Sequence, residues 1–328
     1  MPQPPFIEIK HLKKSFKNNL VLNDINLDVH YGDILGVIGK SGSGKTTLLN
    51  MMIGFMKPDL GEITFQSRNL KQDMDNVKQQ FGFTAQDGSF YPKLNVKENL
   101  EYFGRLYNVP GKELKEKIPK IIRSFGLENS ENTLASKLSV GMQKRLDIAC
   151  GLIHDPKVLL LDEPTENLDP PLRREILNLL DEINKKKGVT IILTSHLLDE
   201  VEFICNRVAI IHNNSILASG TINEVKERYS KNLEISFETS SKKYDNIISE
   251  LKSRKDVINI SKQGNKVRCY TSNSESVLDF ILTNIKQRKE KLLDLGLDKP
   301  SLNEVFESLT KENKREEIIQ KKQSQKKV

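Results

Sequence analysis

The chain has 328 residues, 37% of them apolar, enough to bury a core and to exclude global disorder. Its formal charge is +7, but the stretch 311–328 carries seven Lys or Arg against three Glu, and so accounts for +4 of it. The remainder is close to neutral and has no tryptophan and few aromatics, which excludes a basic body with base-stacking platforms and leaves no nucleic-acid partner to expect.

Cys150, Cys205 and Cys269 lie far apart in apolar or strand-like settings and read as reduced, buried thiols. No apolar run approaches the roughly 20 residues that span a bilayer. The opening MPQPPFIEIK lacks a signal-peptide core. A cytoplasmic chain is expected, with any membrane role reached through a partner.

In chain order, residues 6–9, 21–29 and 34–38 read as strands, separated by turn signals such as Tyr31-Gly32-Asp33. A helix is predicted over 45–53, stopped by Gly54 with Pro58 close behind. Residues 95–128 are helical in pattern, and Pro119 predicts a kink or a new start there. Residues 126–136 are polar and turn-rich. Helices are predicted at 140–153, 172–186 and 197–205, and buried strands at 158–161 and 189–193. Asn213-Asn214 between 207–212 and 215–220 predicts a hairpin. This alternation defines an α/β domain with a mainly parallel sheet. The composition shifts near Thr221; strand-like pieces at 233–237, 257–260 and 267–270 around a helix at 244–251 predict a smaller α+β domain. Three regions result: 1–220, 221–310, and a basic, frayed tail at 311–328.

Residues 39–47, GKSGSGKTT, follow a strand and open a helix, matching G-x-x-x-x-G-K-[ST] in the required context. Gly39, Gly42 and Gly44 let the N–H groups of Lys40, Ser41, Ser43 and Thr47 turn toward phosphate oxygens, and the helix start adds positive potential. Lys45 reaches the β- and γ-phosphates, and Thr46 offers a hydroxyl to Mg²⁺. Residues 158–165, VLLLLDEPT, end a buried strand in two acids. Asp162 suits a Mg²⁺ contact through water, and Glu163 suits polarising the attacking water. Gln86 is a neutral amide that can touch Mg²⁺ or water. His196 ends a buried strand, where an imidazole can meet a γ-phosphate. Phe16 can stack on adenine or belong to the core. The turn Leu138-Ser139-Val140-Gly141-Met142 opens a helix.

Residues 39–47, Gln86, 138–142, 158–165, Asp169 and Ser195-His196 stand in the order found in ATP-binding-cassette (ABC) transporter ATPases, which the chain resembles over about 6–220. The resemblance implies a RecA-like core, an antiparallel β subdomain around the adenine and a helical subdomain near 87–155. It also implies ATP and Mg²⁺ as ligands. Two nucleotides would be sandwiched head to tail between two ATPase subunits, homo- or heterodimeric, with Ser139, Gly141 and Asp169 of one subunit serving the nucleotide of the other. Where the family reads LSGGQ, this chain has LSVGM, a variant similar to that of ABC-2-type ATPases; Glu166 and Asn167 also depart from the usual pattern. Residues 300–310, PSLNEVFESLT, are similar to the C-terminal segment of those exporter ATPases. The expected function is an ATP-hydrolysing subunit that powers a separate membrane permease, peripheral at the inner face of the cell membrane, with 87–103 as the permease contact. The alternative is a soluble ABC ATPase acting on DNA or ribosomes. Against it, only 93 residues separate Lys45 from Ser139, too few for a long coiled coil, and there is no second phosphate loop.

Overall fold

The computed structural model describes residues 4–72, 74–229, 233–298, 301–307 and 309–310. They form two compact units that divide between Thr221 and Ile222. The basic stretch 311–328, and Pro300 and Ser308 of the C-terminal motif, lie outside the described residues.

The first unit opens with β1 (Ile7–Phe16) and β2 (Asn19–Val29), an antiparallel hairpin closing at Phe16 and Asn19. β2 begins two residues before its predicted start, and β1 runs seven residues past its predicted end, through a polar stretch. Hairpin pairing recruits His11–Phe16 into the strand despite their weak apolar signal. Next come β3 (Ile34–Ile38), buried at every position, and α1 (Lys45–Met52). β4 (Leu60–Phe65) pairs with β1, and the short β5 (Arg68–Asn69) pairs with β4, giving the antiparallel sheet β2-β1-β4-β5.

Then follow α2 (Met74–Gln80), β6 (Phe81–Thr84), α3 (Val96–Leu106), α4 (Gly111–Ser124), α5 (Val140–Leu152) and β7 (Val158–Leu161). The unit ends with α6 (Pro170–Lys187), β8 (Thr190–Ser195), α7 (Leu198–Ile204), β9 (Arg207–His212) and β10 (Ser215–Thr221). Its main sheet has the order β10-β9-β3-β8-β7-β6. Every pair is parallel except β9–β10, whose turn places Asn213 and Asn214 at φ 45° and 70°. Asparagine tolerates that left-handed backbone, as a type I′ hairpin requires. β3, β7 and β8 are buried along their whole length, which is why they read as unbroken apolar runs.

The helical stretch at 95–128 breaks elsewhere than at Pro119. α3 ends at Leu106, Asn108 turns left-handed at φ 59°, and α4 restarts after Pro110. Proline disfavours helical backbone at the residue before it, Val109, so the break falls there. Pro119 stays inside α4. α3 carries a full capping box, with Asn95 Oδ1 accepting from Glu98 N and Glu98 Oε2 accepting from Asn95 N, both at 2.8 Å. His154 stacks flat on Tyr107 at 3.7 Å and, from Nε2, bonds the Phe81 carbonyl at 3.2 Å, tying the end of α3 to β6. Cys150 and Cys205 are buried free thiols, as is Cys269 in the second unit.

The second unit contains α8 (Ile222–Tyr229), β11 (Leu233–Thr239), α9 (Asp245–Lys252), β12 (Val257–Gln263), β13 (Lys266–Thr271), α10 (Ser274–Gln287) and β14 (Leu292–Asp298). From β11 onward the order is βαββαβ, and the sheet order β12-β13-β11-β14 is antiparallel throughout, a ferredoxin-like arrangement. Ile235, Phe237, Val267 and Cys269 pack against Ile247, Leu251, Val277 and Ile281. α10 and β14 complete a layer that the three predicted strands and one helix would leave open.

Candidate nucleotide site

β3 delivers the loop 39–44 to the carboxyl end of the sheet, where α/β folds bind ligands. Gly44 caps α1 in a left-handed conformation, φ 98°, and a Cβ there would come within 2.7 Å of Leu22. At Gly39 a Cβ would fall 2.6 Å from both the Ile211 carbonyl and Ser43 Oγ. Glycine is therefore required at both ends of the loop, by strain at one and by crowding at the other. Ser43 Oγ is buried with no hydrogen-bond partner, a donor held ready inside the loop.

Lys45 is only 6% exposed. Its Nζ donates to the Gly39 carbonyl at 2.9 Å and the Lys40 carbonyl at 3.3 Å, and lies 3.3 Å from Glu163 Oε1. Glu163, at the end of β7, has φ 48°, a left-handed conformation that costs a non-glycine residue energy. The strain aims its carboxylate at Lys45 on one side and at His196 on the other, where Nδ1 lies 3.0 Å from Oε2. Asp162 is buried, and Thr194 binds both acids: its Oγ1 donates to Asp162 Oδ1 at 2.7 Å and accepts from Glu163 N at 2.9 Å. Sequence reasoning misses Thr194, although it sits two residues before His196, after the apolar run Ile191–Leu193 of its strand.

A cavity of about 560 Å³ is lined by Ser41, Gly42, Gly44, Lys45, Thr46 and Thr47 of the loop, together with Gln86, Glu163, Glu166 and His196. Gln86 is tethered at both ends: its Nε2 donates to Glu166 Oε2 at 2.6 Å, and its carbonyl accepts from Lys144 Nζ at 3.0 Å. Asp147, beneath this turn, accepts from Ser89 N at 2.7 Å. Its burial pushes the carboxyl up to about 6. Phe16, Asp162, Ser139, Gly141 and Asp169 do not line the cavity. Phe16 is 44% exposed at the hairpin tip, with Lys14 Nζ 5.6 Å from its ring.

Ser139 and Asp169 each cap a helix, accepting from Met142 N at 3.3 Å and from Leu172 N at 3.0 Å. Gly141 is buried; a Cβ there would touch Leu172 at 3.1 Å, so the start of α5 packs on the start of α6. Val140 points outward, 53% exposed. Asn167 takes φ 61°, the left-handed backbone for which glycine is the usual choice and asparagine the next best.

The chemistry of the loop fits a polyphosphate: two crowded glycines, an orphan hydroxyl and a buried lysine are features that suit an anion. Thr46, Asp162 and Gln86 are hard oxygen donors of the kind that suit Mg²⁺. Fold and site together define a P-loop nucleotide-binding protein.

Comparison with known proteins narrows that class. Residues 22–166 match the ABC transporter family model, and residues 220–310 match the C-terminal domain of DrrA1-3-like ATP-binding proteins. The Nod factor export ATP-binding protein I of Rhizobium sp. (strain N33) is 32% identical over 306 residues, 93% of this chain and 96% of that one. The probable multidrug ABC transporter ATP-binding protein YbhF of Escherichia coli (strain K12) is 35% identical over 225 residues. That match spans 69% of this chain but only 39% of the longer relative. Among solved structures, a dimeric ATP-binding cassette in a post-hydrolysis state with ADP and Pi superposes with a TM-score of 0.59 at 25% identity, covering 66% of this chain and 98% of that one. The chain belongs to the ABC transporter ATP-binding proteins.

Proposed function

We propose that this protein hydrolyses ATP to power a separate membrane permease, as an exporter subunit working at the inner face of the cell membrane. The observation that carries the reading is the convergence of Lys45, Glu163 and His196 on the phosphate loop, within 3.3 Å of one another along the chain of contacts. Names of relatives such as "multidrug ABC transporter" and "Nod factor export" support the transport half.

In this reading the N–H groups of 40–47 and Lys45 hold the triphosphate, and Phe16 stacks on the adenine. Thr46, Asp162 and Gln86 would hold Mg²⁺, which neutralises charge across the phosphates when bound. Glu163 accepts a hydrogen bond from the attacking water and takes its proton as the bond to the γ-phosphorus forms and the β–γ bridging bond breaks. His196 fixes the carboxylate it touches and faces the γ-phosphate.

Ser139, Gly141 and Asp169 lie outside the chain's own cavity but at helix N-termini, where positive potential favours phosphate. They serve a nucleotide held by a second subunit. ATP then favours the closed dimer and hydrolysis loosens it. Among the described residues no helix is long and apolar enough to cross a membrane; in this account the permease is a separate chain. Its contact is the region 87–103, where Tyr91 and Tyr102 are both more than 40% exposed.

The test is purification from membranes under mild detergent, followed by ATPase assays. Co-purification of a polytopic protein that stimulates turnover is expected. Turnover stimulated by DNA or ribosomes, with no polytopic partner recovered, would overturn the reading.

A further inference from the structure

Glu200 is a carboxylate of α7, 5% exposed, that lies outside the nucleotide cavity and plays no part in the mechanism above. A buried acid is costly unless it is paired and hydrogen-bonded, and here the partners come from two different segments of the site. From the turn after Glu163, Thr165 Oγ1 donates to Glu200 Oε2 at 2.5 Å. From the segment that ends in His196, Ser195 Oγ donates to the same oxygen at 3.3 Å. On the other oxygen, Arg173 Nε stands 2.9 Å from Oε1, close enough to pair though neither atom is aligned for a hydrogen bond. The same guanidinium donates through Nη2 to the Leu168 carbonyl at 3.1 Å, immediately before Asp169.

The contacts form a closed path. Thr165 and Leu168 belong to the turn whose Asp169 caps α6, and Leu168 N donates back to the Thr165 carbonyl at 3.3 Å. Ser195 Oγ also accepts from Leu197 N at 3.0 Å, so the two residues flanking His196 are held by one hydroxyl. His196 in turn meets Glu163. One carboxylate thus joins the 165–169 turn to the two residues that flank His196.

We propose that Glu200 is a positioning residue that couples the 165–169 turn, the segment facing the second subunit, to the placement of His196 against Glu163. This rests on the proposed ATPase function and deepens it: subunit contact at Asp169 is sensed at His196. The carboxylate takes Thr165 and Ser195 on Oε2 and turns Oε1 to the Arg173 guanidinium; a glutamine that keeps its oxygen toward the two hydroxyls sets an uncharged NH₂ against that cation and loses the pairing that holds the 165–169 turn.

Steady-state kinetics on the full chain test this with Thr165→Val, Thr165→Ser, Glu200→Gln and His196→Ala, beside wild type and Glu163→Gln. Thr165→Val and Glu200→Gln should lower kcat about tenfold or more, the size expected for a hydrogen bond to a charged group, with KM for ATP within about twofold. Thr165→Ser, which keeps the hydroxyl, should restore kcat. The double variant Thr165→Val with His196→Ala should turn over no more slowly than His196→Ala alone, because both act on one element. Unchanged kcat in Thr165→Val and Glu200→Gln overturns the proposal. So does a loss that tracks the melting temperature without rescue by serine, or one that multiplies with that of His196→Ala. If wild type hydrolyses no faster than Glu163→Gln, the proposed ATPase function itself fails, a result distinct from each of these.

Discussion

Glu163 carries the densest set of constraints at the residue scale. Its left-handed backbone, its contact with Lys45 and its contact with His196 all concern one carboxylate. Glu163→Gln preserves size and removes the proton acceptor, so ATP binding should persist while turnover falls by about 10² or more, in line with the loss of a general base. Equilibrium nucleotide binding and single-turnover hydrolysis measure the two halves separately; near-normal turnover would exclude Glu163 from that role. Lys45→Ala removes the buried cation itself and should weaken ATP binding, which fluorescence titration with a nucleotide analogue would read. Gly44→Ala places a Cβ at φ 98° and against Leu22. Strain of that kind costs about 1–3 kcal/mol, so a drop of several degrees in melting temperature is expected with a loss of nucleotide affinity. The loop 39–47 and the acids Asp162 and Glu163 are legible from local pattern, because a strand–loop–helix and a strand-end acid pair have fixed local geometry; Gln86 and His196 stand out only through their order among the other motifs. Thr194 and Glu200 are not legible: their roles depend on which strands lie side by side.

Two elements, α5 and α6, govern the surface offered to a second subunit. Gly141→Asp would add a negative charge at the start of α5 and press on Leu172 of α6. In the proposed dimer that charge faces phosphate, so binding by a single subunit should survive and ATP-dependent dimerisation should vanish. Gly141→Ala is the steric control and should lose little. Size-exclusion chromatography with ATP in a Glu163→Gln background distinguishes them, and normal dimerisation by Gly141→Asp would refute the contact.

Asp147 of α5 and His154, two residues past its end, titrate in opposite senses. Burial lowers His154 to about 4, so the fold favours its neutral form, and this contribution is lost as pH falls from about 6.5 through 4. Burial raises Asp147 to about 6, so its contribution is present at low pH and is lost as pH rises through 6. Asp147→Asn keeps an acceptor for Ser89 N and removes that titration. It should melt higher than wild type at pH 7.5, by at most about 3 kcal/mol for a shift of two units, and the gain should vanish near pH 4. Thermal melts across pH 4–8 check the sign.

For the whole molecule, the prediction is a mass that doubles with ATP. One chain has a single phosphate loop, and its Ser139, Gly141 and Asp169 stand away from its own cavity. Glu163→Gln should therefore run as a monomer without nucleotide and as a dimer with ATP, by light scattering; a monomer at saturating ATP would contradict the sandwich. The second unit, with its ferredoxin-like sheet, gives no comparable signal in sequence. Its one motif, at 300–310, follows the sheet, and α10 and β14 become evident only once β11 is seen to pair with both β13 and β14.

Sequence alone determined the parallel core, the phosphate loop, the acid pair at the end of β7 and the N-terminus of α5 at Ser139. These rest on short-range periodicity and capping, which are written within a dozen residues. Tertiary structure alone decided that Val140 points outward and that Lys45 reaches Glu163. It also decided that Glu200 bridges two segments of the site. Each of these depends on which distant residues become neighbours, and that is set by how the strands are ordered in the sheet and the helices packed upon it.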